Sequence, residues 1–217
     1  MTVATLLRAL DPLATTDTVG EALVEMAEAH VAHLPVLDPL GHLDAVVTEA
    51  ALREHPAHDA PLGSLIAGEP VSIGLDTHVF DAAHLMRQHG LSTIPVLGED
   101  GTYAGLVVRS DVFAQLAHML ATEEPGAILV LDVPRADFSL GQVAHLVEQN
   151  DVRVLSSSTE DDPGAGLVRV TLKLNVTDTA RVRHVLAHRG YRVTAVFDEA
   201  ENDLESRAAE FLRYLDV

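Results

Sequence analysis

The sequence predicts an α+β protein made of two repeated units followed by a third unit with a different pattern. Two observations predict this organisation. A segment that begins at Thr18 is written again, without a gap, from His78, about sixty residues later. After Pro125 and Gly126 the repeat stops, and strand-like and helix-like segments alternate in a new order. A repeat of this length indicates two copies of one supersecondary unit that bury a shared apolar face.

The first copy opens with an amphipathic helix, because Val19, Ala22 and Met26 share one helical face. Thr18 followed by Glu21 predicts a capping box at its start. Strands are then predicted over 34–37 and through 46–47, and in the second copy over 94–97 and 103–108. Helices are predicted over 79–88, near 49 and over 113–120. Short helices over 3–9 and 63–69 lead into the copies. We expect each copy to form a βαββα unit, the two related by a pseudo-twofold axis.

The third unit has strand patterns over 127–133, 152–157, 167–174 and 191–197, and helical stripes over 140–147 and 182–186. Residues 160–166 predict a turn. This order, βαββαβ, is the ferredoxin-like split unit. The tail predicts an amphipathic helix whose apolar face carries Leu204, Ala208, Phe211, Leu212 and Leu215. We therefore predict domains at 1–60, 61–122 and 126–198, with a C-terminal helix over 199–217.

Composition excludes several functional classes. The formal net charge of −19 disfavours contact with nucleic acid phosphates. The absence of cysteine excludes disulfides, thiol catalysis and cysteine-ligated zinc. No apolar run reaches membrane-spanning length, and the N-terminus does not fit a signal peptide. We expect a cytoplasmic protein with neither nucleic acid nor membrane as a partner.

Catalytic and metal signatures are weak. The sequence contains no P-loop, no dinucleotide glycine fingerprint and no nucleophile elbow, so we predict that it is not an enzyme. His184 and His188 are four residues apart on one predicted helix and could face one ion. No carboxylate or third histidine accompanies them at diagnostic spacing. The sequence therefore favours solvated histidines and predicts no metal site.

The second copy carries a family resemblance. The stretch HGLSTIPVLGEDGTYAGLVVRSD, residues 89–111, resembles the second half of a CBS domain, and the first copy matches more loosely. Residues 3–120 thus resemble a tandem CBS pair. In that family two copies form a pseudo-symmetric disc whose clefts often bind adenine nucleotides, and two pairs commonly form a homodimer. The resemblance implies AMP, ADP, ATP or S-adenosylmethionine as a regulatory ligand, and no required cofactor.

The same resemblance suggests site residues. In nucleotide-binding CBS motifs a hydroxyl residue ends the last strand, and an aspartate three residues later accepts hydrogen bonds from the ribose. Here the first copy has Thr48 but Ala51, whereas the second has Val108 but Asp111. The predicted site therefore centres on Asp111, with Arg109 for a phosphate. The adenine walls and remaining contacts would be Val71, Ile73, Ser92, Thr93, Ile94, Pro95 and Thr48.

Asp111 and Arg109 each also have an alternative role that involves no ligand. Asp111 also suits a helix N-cap, and Arg109 also suits a solvated loop charge.

The third unit resembles an ACT domain, a fold of many amino-acid-sensing modules, although the turn over 134–139 lacks the usual glycine. A CBS pair followed by an ACT-like unit resembles acetoin-utilisation regulatory proteins of the AcuB type. The leading hypothesis is a sensor that binds an adenosine ligand in the CBS pair and relays it to the ACT-like unit. The alternative is a ligand-free homodimeric interaction module with degenerate CBS sites.

Overall fold

The computed structural model describes residues 1–65 and 69–197. The chain divides into two units, Met1–Leu116 and Ala117–Val217. The C-terminal helix predicted over 199–217 lies outside the described residues.

The first unit contains both copies of the repeat. The first copy consists of β1 (Leu13–Ala14), α1 (Val19–Ala29), β2 (His33–Leu37), β3 (Leu43–Thr48) and α2 (Glu49–Glu54). The second consists of β4 (Ile73–Gly74), α3 (Val79–His89), β5 (Thr93–Leu97), β6 (Tyr103–Val108) and α4 (Arg109–Met119). The βαββα order predicted from the sequence is confirmed in both.

The two copies agree at the level of single residue pairs. Each forms a three-stranded sheet in which the short first strand runs parallel and the last two run antiparallel. His33 pairs with Thr48 in the first sheet, and Thr93 pairs with Val108 at the equivalent place in the second. Both sheets carry an irregularity before the last residue of the middle strand. The repeat is therefore preserved in three dimensions.

The ends of α1 and α3 follow from local chemistry. At the start of α1 the Thr18 N–H donates to Glu21 Oε2 over 2.8 Å, and the Glu21 N–H donates to Thr18 Oγ1 over 3.3 Å. These bonds confirm the predicted capping box. The α1 C-cap is His30 in the left-handed conformation, with φ of 54°. The same position after α3 is Gly90, with φ of 67°, where the absent Cβ removes the steric penalty.

The segments that lead into the copies are exchanged between them, which the sequence did not predict. The first forms a short 3₁₀ turn at Val3–Leu6 rather than the predicted helix over 3–9. The second forms a 3₁₀ turn at Leu62–Ser64, and residues 66–68 of the predicted helix over 63–69 lie outside the described residues. The Val3 N–H donates to Thr77 O over 2.9 Å, and Val3 is fully buried in the core of the second copy. The Leu62 N–H donates to Asp17 O over 2.8 Å, and Leu62 is fully buried in the core of the first copy. We call the segment that precedes each copy its leader. Each copy thus completes its core with a residue from the leader of the other copy.

The buried residues of the first unit form two clusters, each under its own helices. The first cluster contains Leu13, Val19, Ala22, Met26, Val31, Leu34, Val36, Ala45, Val47, Leu52, Leu62 and Leu106. The second contains Val3, Ile73, Val79, Ala82, Met86, Ile94, Val96, Val107 and Val112. The predicted helix stripes supply buried side chains to both.

The second unit is a four-stranded antiparallel sheet with two helices. Its elements are β7 (Ile128–Pro134), α5 (Leu140–Glu148), β8 (Val154–Asp162), β9 (Leu167–Leu174), α6 (Ala180–His188) and β10 (Arg192–Phe197). The strand order is β10-β7-β9-β8, so the first and third strands are central. The predicted βαββαβ order is therefore confirmed for the described residues. Side chains from the helices and from one face of the sheet form a single core.

One predicted turn is too long. The sequence predicts a turn over 160–166, but Glu160 and Asp161 continue β8, and only 163–166 form the turn. Glu160 pairs with Arg169 on β9, whose positive charge is complementary to the glutamate. Asp161 lies 3.2 Å from the Arg135 guanidinium. Basic partners on β9 and after β7, which the local pattern did not reveal, accompany this extended acidic stretch.

Candidate ligand-binding site

The two copies meet at a hydrogen-bonded junction between His33 on β2 and Ser92, just before β5. The Ser92 hydroxyl oxygen accepts from the Ala32 N–H over 3.0 Å and lies 2.9 Å from His33 Nδ1. The Ser92 N–H also donates to His33 Nδ1 over 3.2 Å. Because Nδ1 accepts, the neutral ring carries its proton on Nε2. The junction thus fixes one tautomer of His33.

His33 is neutral in the folded protein around neutral pH. It is half-buried, and burial lowers its pKa below the ordinary 6.5. The positive charge of Arg109, the first residue of α4, lowers this pKa further. Arg109 itself is exposed, and its N–H donates to Ser92 O over 2.8 Å. The junction therefore presents an uncharged donor with a guanidinium close by.

A cavity of about 230 Å³ opens beside this junction. Its lining comes from both copies and comprises His33, Val46, Thr48, Glu69, Pro70, Val71, His89 and Leu91. The aliphatic members form apolar walls. The hydroxyl, carboxylate and imidazole groups supply a few polar contacts, which is the usual make-up of a small-molecule site.

Thr48 and Glu69 give the cavity complementary hydrogen-bonding groups. Thr48 is the N-cap of α2, and its Oγ1 accepts from the Ala51 N–H over 3.2 Å. Its own hydroxyl proton remains available as a donor. Glu69 provides an acceptor-only carboxylate. The cavity therefore has a carboxylate although the first copy carries Ala51 where an aspartate was expected.

Asp111 does not line this cavity; it forms an ion pair with Arg8. The Arg8 Nε and a terminal nitrogen each donate to one Asp111 oxygen over 2.6 Å. Asp111 is the third residue of α4, and the residue before the helix is Val108. The N-cap alternative for Asp111 is therefore wrong, although a carboxylate in the first turn still favours the helix dipole. A sugar at Asp111 would have to share the carboxylate with the Arg8 guanidinium.

Backbone contacts place Arg8 against the second copy. Its N–H donates to Leu106 O over 2.8 Å, and the Leu106 N–H donates to Arg8 O over 3.1 Å. A Cβ on Gly105 would lie 2.8 Å from Arg8 O and 2.9 Å from Leu7 Cγ. The Tyr103 hydroxyl donates to Leu10 O over 3.2 Å, and burial followed by the Asp11 charge raises the Tyr103 pKa to about 12. The N-terminal segment thus covers the surface beside Asp111.

The structure separates the predicted site residues into three groups. Thr48 and Val71 lie together on the cavity. Asp111 is paired with Arg8, and Arg109 lies near His33. The others belong to the junction or the interior: Ser92, Thr93, Ile94, Pro95 and Ile73. Of these, Thr93 is fully buried and donates to His33 O over 2.8 Å.

Sequence reasoning missed His33, Glu69 and Arg8. A signal for the first two exists in the comparison of the copies. Sixty positions later His33 becomes Thr93, and sixty positions earlier Glu69 corresponds to Ala9. Both are positions where one copy has a polar residue that can line the cavity and the other copy has a different residue.

The histidine pair considered for metal binding packs ring to ring. The His184 and His188 centroids lie 5.1 Å apart, edge to face. Across residues 1–65 and 69–197 no cluster of three or more histidine or acidic side chains is arranged to hold a metal ion. Over the same ranges no helix has the length and hydropathy needed to span a bilayer.

The CBS family model matches residues 9–58 and 62–118, the two copies of the repeat. A CBS domain-containing protein from Dictyostelium discoideum is 30% identical over 127 residues, which cover 50% of this chain and 86% of that protein. The chain belongs to the CBS-domain family. Its first unit is therefore a tandem CBS pair.

Two further relatives place limits on the comparison. The A-adding tRNA nucleotidyltransferase of Aquifex aeolicus is 30% identical over 99 residues, 44% of this chain, but this chain spans only 12% of that enzyme's length. The crystal structure of a CBS domain pair/ACT domain protein from Thermotoga maritima superposes with a TM-score of 0.50 at 22% identity. That match covers 55% of this chain and 99% of the other, and it establishes a common fold.

Proposed function

We propose that the chain is a non-catalytic regulatory protein whose CBS pair binds an adenine nucleoside or nucleotide in the cavity beside His33. The observation that carries the proposal is the cavity itself, which is formed by both copies and holds Thr48, Glu69 and His33. Its volume, about 230 Å³, lies below the usual range for drug-sized ligands, so a base and sugar fit better than a whole nucleoside triphosphate.

Each part of the ligand has a matching group. The aliphatic walls suit the flat base, and the Glu69 carboxylate accepts from sugar hydroxyls as an aspartate does in nucleotide-binding CBS motifs. Thr48 and the His33 Nε2–H donate to ligand oxygens or nitrogens. The described residues of the lining include no lysine or arginine, so a phosphate must leave the cavity, and Arg109 near His33 is the cation it would meet. AMP fits this layout better than ATP, because the chain already carries a large negative charge.

A thermal-shift and calorimetric titration of the full chain with adenosine, AMP, ADP, ATP and S-adenosylmethionine tests the proposal. A ligand at a hundred times its Kd adds about 2.7 kcal/mol of stability. We expect AMP to bind, Thr48→Val and Glu69→Gln to weaken it at least tenfold, and Glu99→Gln, an exposed acid in a turn, to leave it unchanged. Arg109→Gln should weaken AMP about fivefold and leave adenosine unaffected.

The competing location at Asp111 has its own outcome. Loss of binding in Asp111→Ala with retention in Glu69→Gln would move the ligand to the cleft that the sequence predicted. No stabilisation by any adenosine compound would remove the sensor hypothesis and leave the ligand-free interaction module.

We further propose that the protein acts as a homodimer through its CBS pair, as the family resemblance implies. Among the described residues, four large apolar side chains are exposed on helices of the pair: Val24 on α1, Phe80 on α3, and Phe113 and Met119 on α4, with Phe113 at 72% exposure. A second copy of the chain would cover them. Sedimentation equilibrium should show a dimer that Phe113→Ser weakens and Leu40→Ser, an equally exposed residue in a turn, does not. A wild-type monomer would exclude this assembly.

The proposed output is a relay from the CBS pair to the second unit, which resembles an ACT domain, in acetoin utilisation. Relay requires the ligand to bind one state of the protein more tightly than another. Hydrogen exchange in β7 and β9 should therefore change when AMP binds. Unchanged exchange there would exclude coupling, and normal growth on acetoin after loss of the gene would exclude that pathway.

A further inference from the structure

A second cavity, of about 350 Å³, lies in the second unit between α5 and the residues that follow α6. Gln142, His145 and Leu146 line it from one face of α5, at i, i+3 and i+4. Arg189 and Tyr191 line it from the turn after α6. This cavity belongs to neither the CBS pair nor the turn over 134–139.

Backbone hydrogen bonds close the turn after α6 and set the backbone positions of Arg189 and Tyr191. Gly190 has a left-handed φ of 85°, and its N–H donates to Ala187 O over 3.0 Å. The Tyr191 N–H donates to Leu186 O over 3.0 Å. This pair of bonds is a Schellman motif. It directs the Tyr191 side chain against the core of the unit and fixes the backbone of Arg189 at the cavity rim.

His145 is also oriented. The amide nitrogen of Gln149 lies 2.9 Å from His145 Nε2, and because that nitrogen can only donate, Nε2 accepts. In the neutral ring the proton therefore sits on Nδ1, which remains a donor. The amide of Gln142 and the hydroxyl of Tyr191 add two more donors on the same wall.

The charge of this region is opposite to that of the chain. Among the described residues that line the cavity none is acidic, and Arg189 forms no ion pair with any residue of 1–65 or 69–197. Residues 180–197 contain no Asp or Glu and carry Arg181, Arg183, Arg189 and Arg192. A cationic segment in a chain with net charge −19 attracts anions locally.

We propose that this cavity binds a small organic anion through a carboxylate or phosphate group. The Arg189 guanidinium takes the anionic group, for which its planar fork is suited. Tyr191, Gln142 and His145 add hydrogen bonds, and Leu146 with the Tyr191 ring contacts the apolar part. An amino acid fits less well, because the described residues of the lining include no carboxylate for its ammonium group. The ligand is therefore a small carboxylate or phosphate ester without an ammonium group, and its binding does not depend on the CBS pair.

NMR titration of the isotope-labelled full chain with succinate, inorganic phosphate and glycine, at constant ionic strength, tests this proposal. We expect saturable shifts of the Gln142, Arg189 and Tyr191 amides with succinate or phosphate, and none with glycine. Arg189→Gln should weaken binding at least tenfold, or about 1.4 kcal/mol. Arg192→Gln makes the same charge change on β10, outside the cavity lining, and should weaken binding less than twofold. Tyr191→Phe keeps the packing and should lose affinity through the hydroxyl alone.

The comparison of succinate with phosphate identifies which anion chemistry the cavity prefers. Shifts that rise linearly, or equally with sodium chloride, would mean general screening and overturn the proposal. Equal losses of affinity in Arg189→Gln and Arg192→Gln would also overturn it. Binding would then depend on the overall positive charge of residues 180–197 rather than on the cavity. Melting temperatures of all variants separate loss of binding from loss of fold.

Discussion

The Arg8–Asp111 ion pair should hold the N-terminal segment against the second CBS copy by about 1 kcal/mol. Two contacts of 2.6 Å would be worth far more in a dry interior, but the Arg8 side chain is 53% exposed and that of Asp111 is 25% exposed. Solvent screening and the lost conformational entropy of the arginine side chain reduce the stabilisation to the range measured for exposed pairs, about 0.2–1 kcal/mol. The bidentate geometry is the reason to expect the upper end.

The assay is amide hydrogen exchange at Arg8 and Leu106, whose backbones bond to each other beside the ion pair. Losing about 1 kcal/mol of local stability speeds exchange about fivefold. Arg8→Gln and Asp111→Asn should each produce this effect, and the double variant should add little more. In about 1 M salt, where charges are screened over about 3 Å, the coupling should fall below half.

Amides of β9, in the other unit, serve as the control and should not change. If the two single variants have additive effects at low salt, the ion pair does not hold the segment, and the explanation for the covered Asp111 cleft fails.

Three more perturbations follow from the fold. Gly105→Ala should destabilise the protein by about 2–3 kcal/mol in denaturant titration, because the new Cβ would clash with Arg8 O and Leu7. Gly101 also has a positive φ but faces open space, so Gly101→Ala should cost only about 1 kcal/mol. His30→Gly, which copies Gly90, should stabilise by about 0.5–1 kcal/mol and raise the melting temperature; no increase would contradict the strain at the α1 C-cap. The pKa of His33 is lowered in the folded state, so the neutral ring contributes its full stabilisation above about pH 6.5 and loses it as pH falls through the folded pKa. His33→Gln should therefore flatten the pH dependence of the free energy of unfolding in that window.

The sequence predicted the repeated elements well because their signals are local. The Thr18 capping box, the helical stripe through Met26 and the strand limits at Tyr103 and Val108 all depend on residues within a few positions of each other. Register followed from the repeat, since two copies that align without a gap must pair their strands alike.

The site was predicted only in part because its contacts are long-range. Arg8 and Asp111 are 103 residues apart, and no periodic pattern relates them. Thr48 was identified because the family motif contains a hydroxyl there. Glu69 lies outside that motif, in the segment between the copies, and lines the cavity together with residues of the first copy. Such placement depends on the path of the whole chain, which local propensity does not encode.

The exchanged leaders have a consequence for how the CBS pair can arise and be divided. A fragment that ends near residue 60 would keep Val3 but lack Leu62. Its own core would lack one apolar side chain, and its Val3 would be exposed and able to fill that position in another copy. Two such fragments would satisfy each other by trading leaders, which is domain swapping. The tandem is thus equivalent to a swapped dimer joined into one polypeptide. Tethering the partners makes their encounter intramolecular, so the closed pair forms at any protein concentration.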